Sequence, residues 1–285
     1  MKNVAFFGLG NMGLPIALNL VNAGYNVTTA IHQSDKGPLA LKAAGGKIAA
    51  SKTEAVKNAD LIFSIVSDDA ALKALLLENE MIDAVPAGSV IIEMTSASPQ
   101  AVQDIASAYE RKGVFVIDAP VSGGVKGAAA ATMTMMCGGD PDVFERIKPD
   151  LETIGKNILY LGAVGTGKAV KSVNNLLGAI HKIAMAESIK IIEKNGVDPE
   201  VFYDAIVKST GNSLQFQRDF YKVLARDYTP TFTLGLMKKD MGLALDLAKD
   251  VYTPISRLAL DMFEKASPYA GEDTGAIMRV LDGAL

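Results

Sequence analysis

The sequence predicts an α/β domain built on a doubly wound parallel sheet, followed by an all-α domain joined to it by a long helix. Three observations carry this prediction. Short apolar runs alternate with amphipathic segments through roughly the first 160 residues, the rhythm of repeated strand–helix units. Runs such as LIFSIV (61–66) and VIIEM (90–94) are apolar throughout, as in strands covered on both faces. Beyond about residue 165 the strand pattern stops and helical periodicity takes over. The predicted domains are therefore 1–164 and 165–285.

In order along the chain, strands are expected at 4–7, 26–31, 60–66, 89–94, 114–118, 132–137 and 157–161. Helical patterns fall between several of them, at 12–23, 70–77, 99–112 and 141–154. From Thr166 to Lys194 the chain has helical periodicity without proline and ends at Asn195-Gly196, a C-terminal stop pair. Asp198-Pro199-Glu200 and Thr253-Pro254 read as an N-cap with proline at the first helical position. The remaining helices are expected near 198–208, 213–226, 234–250, 254–266 and 273–283.

The 285 residues fit two domains better than one. Net charge is −4, so no global basic field argues for nucleic acid. A single cysteine, Cys137, excludes an internal disulfide, and with two histidines a zinc cage of His and Cys alone cannot be assembled. No metal is expected. A strand beginning almost at Met1 argues against a signal peptide, and no apolar run has the length of a membrane span. A cytoplasmic protein with no membrane partner is the expectation.

Gly8-Leu9-Gly10-Asn11-Met12-Gly13 fits G-x-G-x-x-G directly after a strand and at the start of a helix, the context that makes this a dinucleotide-binding motif of a Rossmann-type domain. Gly8 permits the turn, Gly10 lets the backbone approach a pyrophosphate, and Gly13 lets helix and strand pack. The anion then meets the positive end of the helix. At the end of the second strand no carboxylate stands ready for the ribose; instead His32, Ser34 and Lys36 could surround a 2′-phosphate. The preference is for NADP, with Asp35 keeping NAD open.

Asp118-Ala119-Pro120-Val121-Ser122-Gly123-Gly124 follows another apolar strand. Small residues after a proline bend expose N–H groups and a hydroxyl that suit a carboxylate, although Ser-Gly-Gly is also plain turn chemistry. Lys171 and Asn175, four residues apart in GTGKAVKSVNN, share one helix face. A lysine and a carboxamide so placed can both reach one carbonyl oxygen, the equipment for proton transfer beside a hydride acceptor.

GLGNMGLPIALNL, DAPVSGGVKGA, GTGKAVKSVNN and LMKKDMGLAL, in that order, cover essentially the whole chain. Together they resemble the β-hydroxyacid dehydrogenase family, which includes 3-hydroxyisobutyrate dehydrogenase and the tartronate, glyoxylate and succinic semialdehyde reductases. The resemblance implies that Lys171 is the catalytic lysine and Asn175 the amide beside it, with Ser122, Gly123 and Gly124 as the substrate-carboxylate loop. It implies Ser96 between coenzyme and substrate, Val66 and Ser67 along the coenzyme, and Phe232, Lys239 and Asp240 in a segment closing over nicotinamide and substrate. A homodimer or homotetramer acting on a small carboxylate substrate is implied too. Two positions depart from the family pattern. Ala131-Thr132-Met133 replaces Gly-Thr-Leu, which adds a methyl group, and Ile31-His32 replaces Asn-Arg after the second strand.

Other readings compete. Residues 162–169 nearly spell a phosphate-binding P-loop, but Ala169 stands where a hydroxyl must hold Mg²⁺. Lys168, the rival of Lys171, is expected near the helix start and solvated; Cys137 is expected buried and inert. A non-catalytic coenzyme-binding scaffold and an imine reductase are alternatives on the same architecture, both disfavoured by the presence of Lys171.

Overall fold

The computed structural model describes residues 2–283. Chain contacts divide it into two compact units, one ending at Lys171 and the other starting at Ser172.

The first unit runs β1 (Asn3–Phe7), α1 (Gly13–Asn22), β2 (Asn26–Ala30), α2 (Lys36–Ala43), β3 (Lys47–Ala49), α3 (Lys52–Val56), β4 (Leu61–Ser64), α4 (Asp69–Leu76), α5 (Asn79–Ala84), β5 (Val90–Glu93), α6 (Pro99–Glu110) and β6 (Phe115–Asp118). These six strands form one sheet in the order β3-β2-β1-β4-β5-β6, and every pairing is parallel. The order reverses between β1 and β4, which makes their carboxyl ends the switch point where such sheets bind ligands. Alternate side chains of β1, β4, β5 and β6 enter different cores. Phe6, Phe63, Ile92 and Ile117 belong to one, while Ala5, Ile62, Ile91 and Val116 belong to the other. Burial on both faces explains why these strands read as unbroken apolar runs.

A second sheet follows, made of β7 (Val121–Ser122), β8 (Met133–Cys137) and β9 (Gly155–Tyr160), with α7 (Gly124–Ala129) and α8 (Pro141–Leu151) between them. Here β7 pairs antiparallel with β8, and β8 parallel with β9. The last predicted strands therefore leave the main sheet. The proline at 120 and the two glycines at 123 and 124 break the chain direction between them.

Helix α9 (Thr166–Lys194) runs from the first unit into the second. The second unit continues with α10 (Pro199–Val207), α11 (Leu214–Leu224), α12 (Leu234–Leu247), α13 (Pro254–Lys265) and α14 (Met278–Leu281). It has its own core, in which Ile183, Ile189, Phe216, Phe220, Met241 and Phe263 meet. Of the two expected caps one is made: the Asp198 side chain accepts from the N–H groups of Glu200 and Val201. Thr253 stands at the N-cap position of α13, with Pro254 after it, but its side chain makes no capping hydrogen bond. Among the described residues no helix is long and apolar enough to cross a membrane.

Candidate active site

The glycine turn lies between β1 and α1, at the switch point. Gly8 has φ +90°, and a Cβ there would collide with the carbonyl of Ile65, just past β4. A Cβ on Gly13 would collide with the carbonyl of Gly8. The fold itself thus demands the first and third glycines. It does not demand the second, because a Cβ on Gly10 would meet nothing within 4 Å. Open space over an exposed backbone at a helix N-terminus fits a pyrophosphate, and the first turn of α1 carries no acidic residue to compete for the dipole. Leu9 and Met12 are half-buried against the sheet core while Asn11 is exposed.

Past β2, His32, Ser34 and Lys36 are all exposed, and the Lys36 N–H donates to the Ser34 hydroxyl at 3.3 Å. Gly37 carries this segment onto the glycine turn, since a Cβ there would collide with Leu9. The candidate 2′-phosphate residues and the candidate pyrophosphate turn are therefore neighbours.

The loops after β4 and β5 are stitched together. The Val66 N–H donates to the Thr95 hydroxyl at 3.0 Å, and the Ser98 N–H to Asp69 at 2.9 Å. Exposed Ser67 donates its hydroxyl to Asp68 at 2.8 Å. Ser96, next to buried Thr95, is half-buried. Ser122 ends β7 opposite Thr134, and Gly123 and Gly124 follow with φ +141° and +65°. Both glycines are exposed and lead into α7. Ala131, which sits where the family has glycine, has φ +54°. The change is thus more than an added methyl group, because the backbone is left-handed there and favours glycine.

On α9, Lys171 is half-buried and Asn175 is buried. The Asn175 amide donates to Asp240 at 2.6 Å, and Lys239 pairs with the same carboxylate at 3.2 Å. Sequence reasoning placed Asp240 and Lys239 in a closing segment; the structure adds that Asp240 fixes the Asn175 side chain. Phe232, just before α12, is half-buried against the helical core.

Lys168 corrects an expectation. It is fully buried rather than solvated, and its ammonium donates to the carbonyls of Glu93 at 2.9 Å and Thr95 at 2.6 Å while pairing with the Glu93 carboxylate. Asp118, at the end of β6, accepts the N–H groups of Gly165 at 2.7 Å and Lys168 at 2.9 Å. Burial pushes the Asp118 carboxyl up, against the opposing pull of Lys168 and those two N–H groups. The near P-loop is thereby explained: its helix start is already occupied by a carboxylate, and its lysine points into the sheet. Glu93 and Asp118 were missed from sequence, although each is a carboxylate closing an otherwise apolar strand (VIIE, FVID). Burial also pushes the Cys137 thiol up to about 12, which keeps it unreactive.

This is the framework of a nicotinamide-dependent oxidoreductase. Residues 3–162 match the model for the NAD binding domain of 6-phosphogluconate dehydrogenase, and residues 165–281 that for NAD-binding of NADP-dependent 3-hydroxyisobutyrate dehydrogenase. The chain is 35% identical to 2-(hydroxymethyl)glutarate dehydrogenase of Eubacterium barkeri, over 97% of this chain and 94% of that one. It is 34% identical to the NAD-dependent L-serine dehydrogenase of Pseudomonas aeruginosa, over 99% and 98%. The solved 3-hydroxyisobutyrate dehydrogenase of Mycobacterium tuberculosis with L-serine superposes with a TM-score of 0.91 at 32% identity, covering 99% of both chains. The chain belongs to the β-hydroxyacid dehydrogenase family and is an oxidoreductase acting on CH–OH groups with NAD or NADP.

Proposed function

We propose that this enzyme moves a hydride between NADP and a small β-hydroxyacid or its semialdehyde, with Lys171 as the general acid or base. The relatives' names support the substrate class. L-serine, 3-hydroxyisobutyrate and 2-(hydroxymethyl)glutarate all contain a CH₂OH group on the carbon that carries the carboxylate. Glyoxylate and succinic semialdehyde, also within the family resemblance, lack that unit.

The observation that carries the reading is the fixed amide of Asn175, one helical turn from Lys171 on α9 and held by buried Asp240. A locked amide orients a reacting oxygen beside a proton donor at little entropic cost. The nicotinamide, when bound, accepts or supplies the hydride. In oxidation the Lys171 amine takes the hydroxyl proton; in reduction its ammonium returns a proton to the carbonyl oxygen. Ser122, Gly123, Gly124 and Ser96 hold the carboxylate, while Phe232, Lys239 and Asp240 cover the reacting groups. Gly8 to Gly13, Val66 and Ser67 hold the coenzyme, and His32, Ser34 and Lys36 favour its 2′-phosphate. Exposed Val170, Val173, Leu177 and Ile191 along α9 support a homo-oligomer, and we assign the protein to the cytoplasm.

The test is turnover with each coenzyme across a panel of three- to five-carbon hydroxyacids, for the parent protein and for Lys171→Ala. The variant is expected to lose about 10²- to 10⁴-fold in kcat with coenzyme affinity retained. Near-parental turnover in that variant would remove Lys171 from the mechanism.

A further inference from the structure

We infer that Lys168 is a positioning residue for the reaction. Its buried ammonium ties the start of the helix that carries Lys171 to the strand end that carries Ser96. The inference rests on the roles given above to Lys171 and Ser96.

An ammonium has three N–H bonds to place, and three acceptors of one short segment converge on this one: the Glu93 carbonyl, the Thr95 carbonyl and the Glu93 carboxylate. The carboxylate is tied back to the same segment, accepting the Thr95 N–H at 2.8 Å. Thr95 in turn accepts the Val66 N–H through its hydroxyl. The carbonyls of 93 and 95 are thus turned into the protein, and Ser96 follows at once on the half-exposed side. Meanwhile the backbone N–H of Lys168 is held by Asp118, four residues before Ser122. One residue therefore links three pieces: the end of β5 with Ser96, the end of β6 leading to the Ser122–Gly124 loop, and the first turn of α9.

The consequence for Lys171 is geometric. Three residues along an α-helix turn by about 300°, so the directions of positions 168 and 171 differ by about 60° around the axis. Pinning Lys168 inward fixes the rotation of α9, and with it the direction in which Lys171 leaves the helix. Stability alone does not account for this arrangement. A buried ion pair replaced by apolar residues of similar volume is often no less stable, so its retention is better matched to placement than to folding strength. Groups behind a reacting residue commonly act this way.

The experiment compares two double variants with the parent. Lys168→Met/Glu93→Leu removes both charges together and leaves no buried ion unpaired. Lys168→Gln/Glu93→Gln keeps donors that can reach the two carbonyls. Melting temperature, coenzyme affinity, kcat, KM for the hydroxyacid and amide hydrogen exchange over 94–97 and 165–171 are measured on each. The apolar pair is expected to bind coenzyme within about threefold of the parent, because the glycine turn is untouched. It should lose about 10- to 100-fold in kcat, the scale of a small misplacement, with faster exchange in both segments. The amide pair should recover part of the lost kcat. Parental kcat and exchange in the apolar pair would overturn the proposal, as would losses in both pairs that track melting temperature alone. Should the apolar pair fail to fold, the amide pair decides: slowed turnover with faster exchange supports the tie, and parental values reject it. Lys171→Ala, run alongside, separates the two ideas. Intact turnover there condemns the catalytic role of Lys171, whereas lost turnover there with unaffected Lys168 variants condemns only the tie.

Discussion

Helix α9 carries two fully buried lysines, Lys168 in the first unit and Lys182 in the second. Fourteen residues separate them, about four turns, so they leave the helix in similar directions. Their surroundings differ. Lys168 meets main-chain carbonyls and a carboxylate at a strand end. Lys182 meets the Asp219 carboxylate on α11, which also receives Arg218 at 2.7 Å and Gln215 at 2.7 Å. Burial pulls the Lys182 ammonium down from its ordinary value, only partly opposed by Asp219. The first lysine grips a loop that bears candidate site residues, the second braces one helix against another. A buried lysine takes its role from what stands at the far end of its side chain.

The largest expected effect that separates the two follows from Lys182→Met. Asp219, itself only half-buried, would be left with one cation fewer. Breaking a fully buried pair costs about 3–5 kcal/mol, and the lower end is expected here because Asp219 keeps some solvent and Arg218 stays. Urea unfolding followed by circular dichroism should report the loss, and kcat of the folded fraction should stay within about twofold of the parent. A marked fall in kcat per folded molecule would erase the contrast between the lysines.

What the sequence disclosed and what it withheld follow the same division between local and distant information. β1, β4 and β5 were legible because burial on both faces writes an unbroken apolar run. The glycine turn was legible because its spacing and its place after a strand belong to one stretch of chain. α2, β3 and α3 (residues 36–56) were not read: the strand is three residues long, with an exposed lysine at its start. α5 and α7 are six residues each, too short to show a period. Lys168 could not be placed because its partner lies 75 residues earlier, and nothing in GTGKAV points there. The Asn175–Asp240 bond, across 65 residues, was hidden for the same reason.

Two buried carboxylates sharpen the comparison by pH. In the second unit, burial by itself would raise the Asp273 carboxyl. The N–H groups of Thr231 and Gly275, the Thr231 hydroxyl and Lys222 outweigh it and hold the group far below the usual carboxylate range. In the first unit, Asp118 is shifted the other way, by burial. The signs differ accordingly. A depressed carboxyl stabilises the fold above its unfolded value of about 3.9, and that contribution drains away as pH falls toward the folded value. A raised one favours the fold only at low pH and loses that contribution as pH climbs through its folded value. Acid should therefore loosen the helical unit through Asp273, while Asp118 adds nothing to the loss. Asp273→Asn should cost about 1.5–3 kcal/mol at neutral pH, the scale of hydrogen bonds to a charged group, and should flatten the decline of stability below about pH 4. An unchanged acid slope in that variant would remove Asp273 as its source.

The smallest effect tests the two units at matched backbone positions. Among the described residues, Ala131 and Arg226 are the non-glycine residues with positive φ, at +54° and +53°. Each follows the C-cap of a helix, α7 and α11 respectively, where a left-handed residue is usually glycine. Ala131 offers nothing in return for the strain except a methyl group. Arg226 is different: its guanidinium bonds Glu193 at 3.0 Å and Asp282 at 3.3 Å, linking three segments of the helical unit. Ala131→Gly should therefore raise stability by about 0.5–1 kcal/mol, the strain relieved less the added freedom of the unfolded chain. Arg226→Gly relieves the same strain but removes both ion pairs, so no gain is expected from it. Thermal melts of the two variants, read against the parent, check this. A stabilised Arg226→Gly would mean that its ion pairs hold nothing together, and an unimproved Ala131→Gly would mean that the left-handed turn after α7 is unstrained.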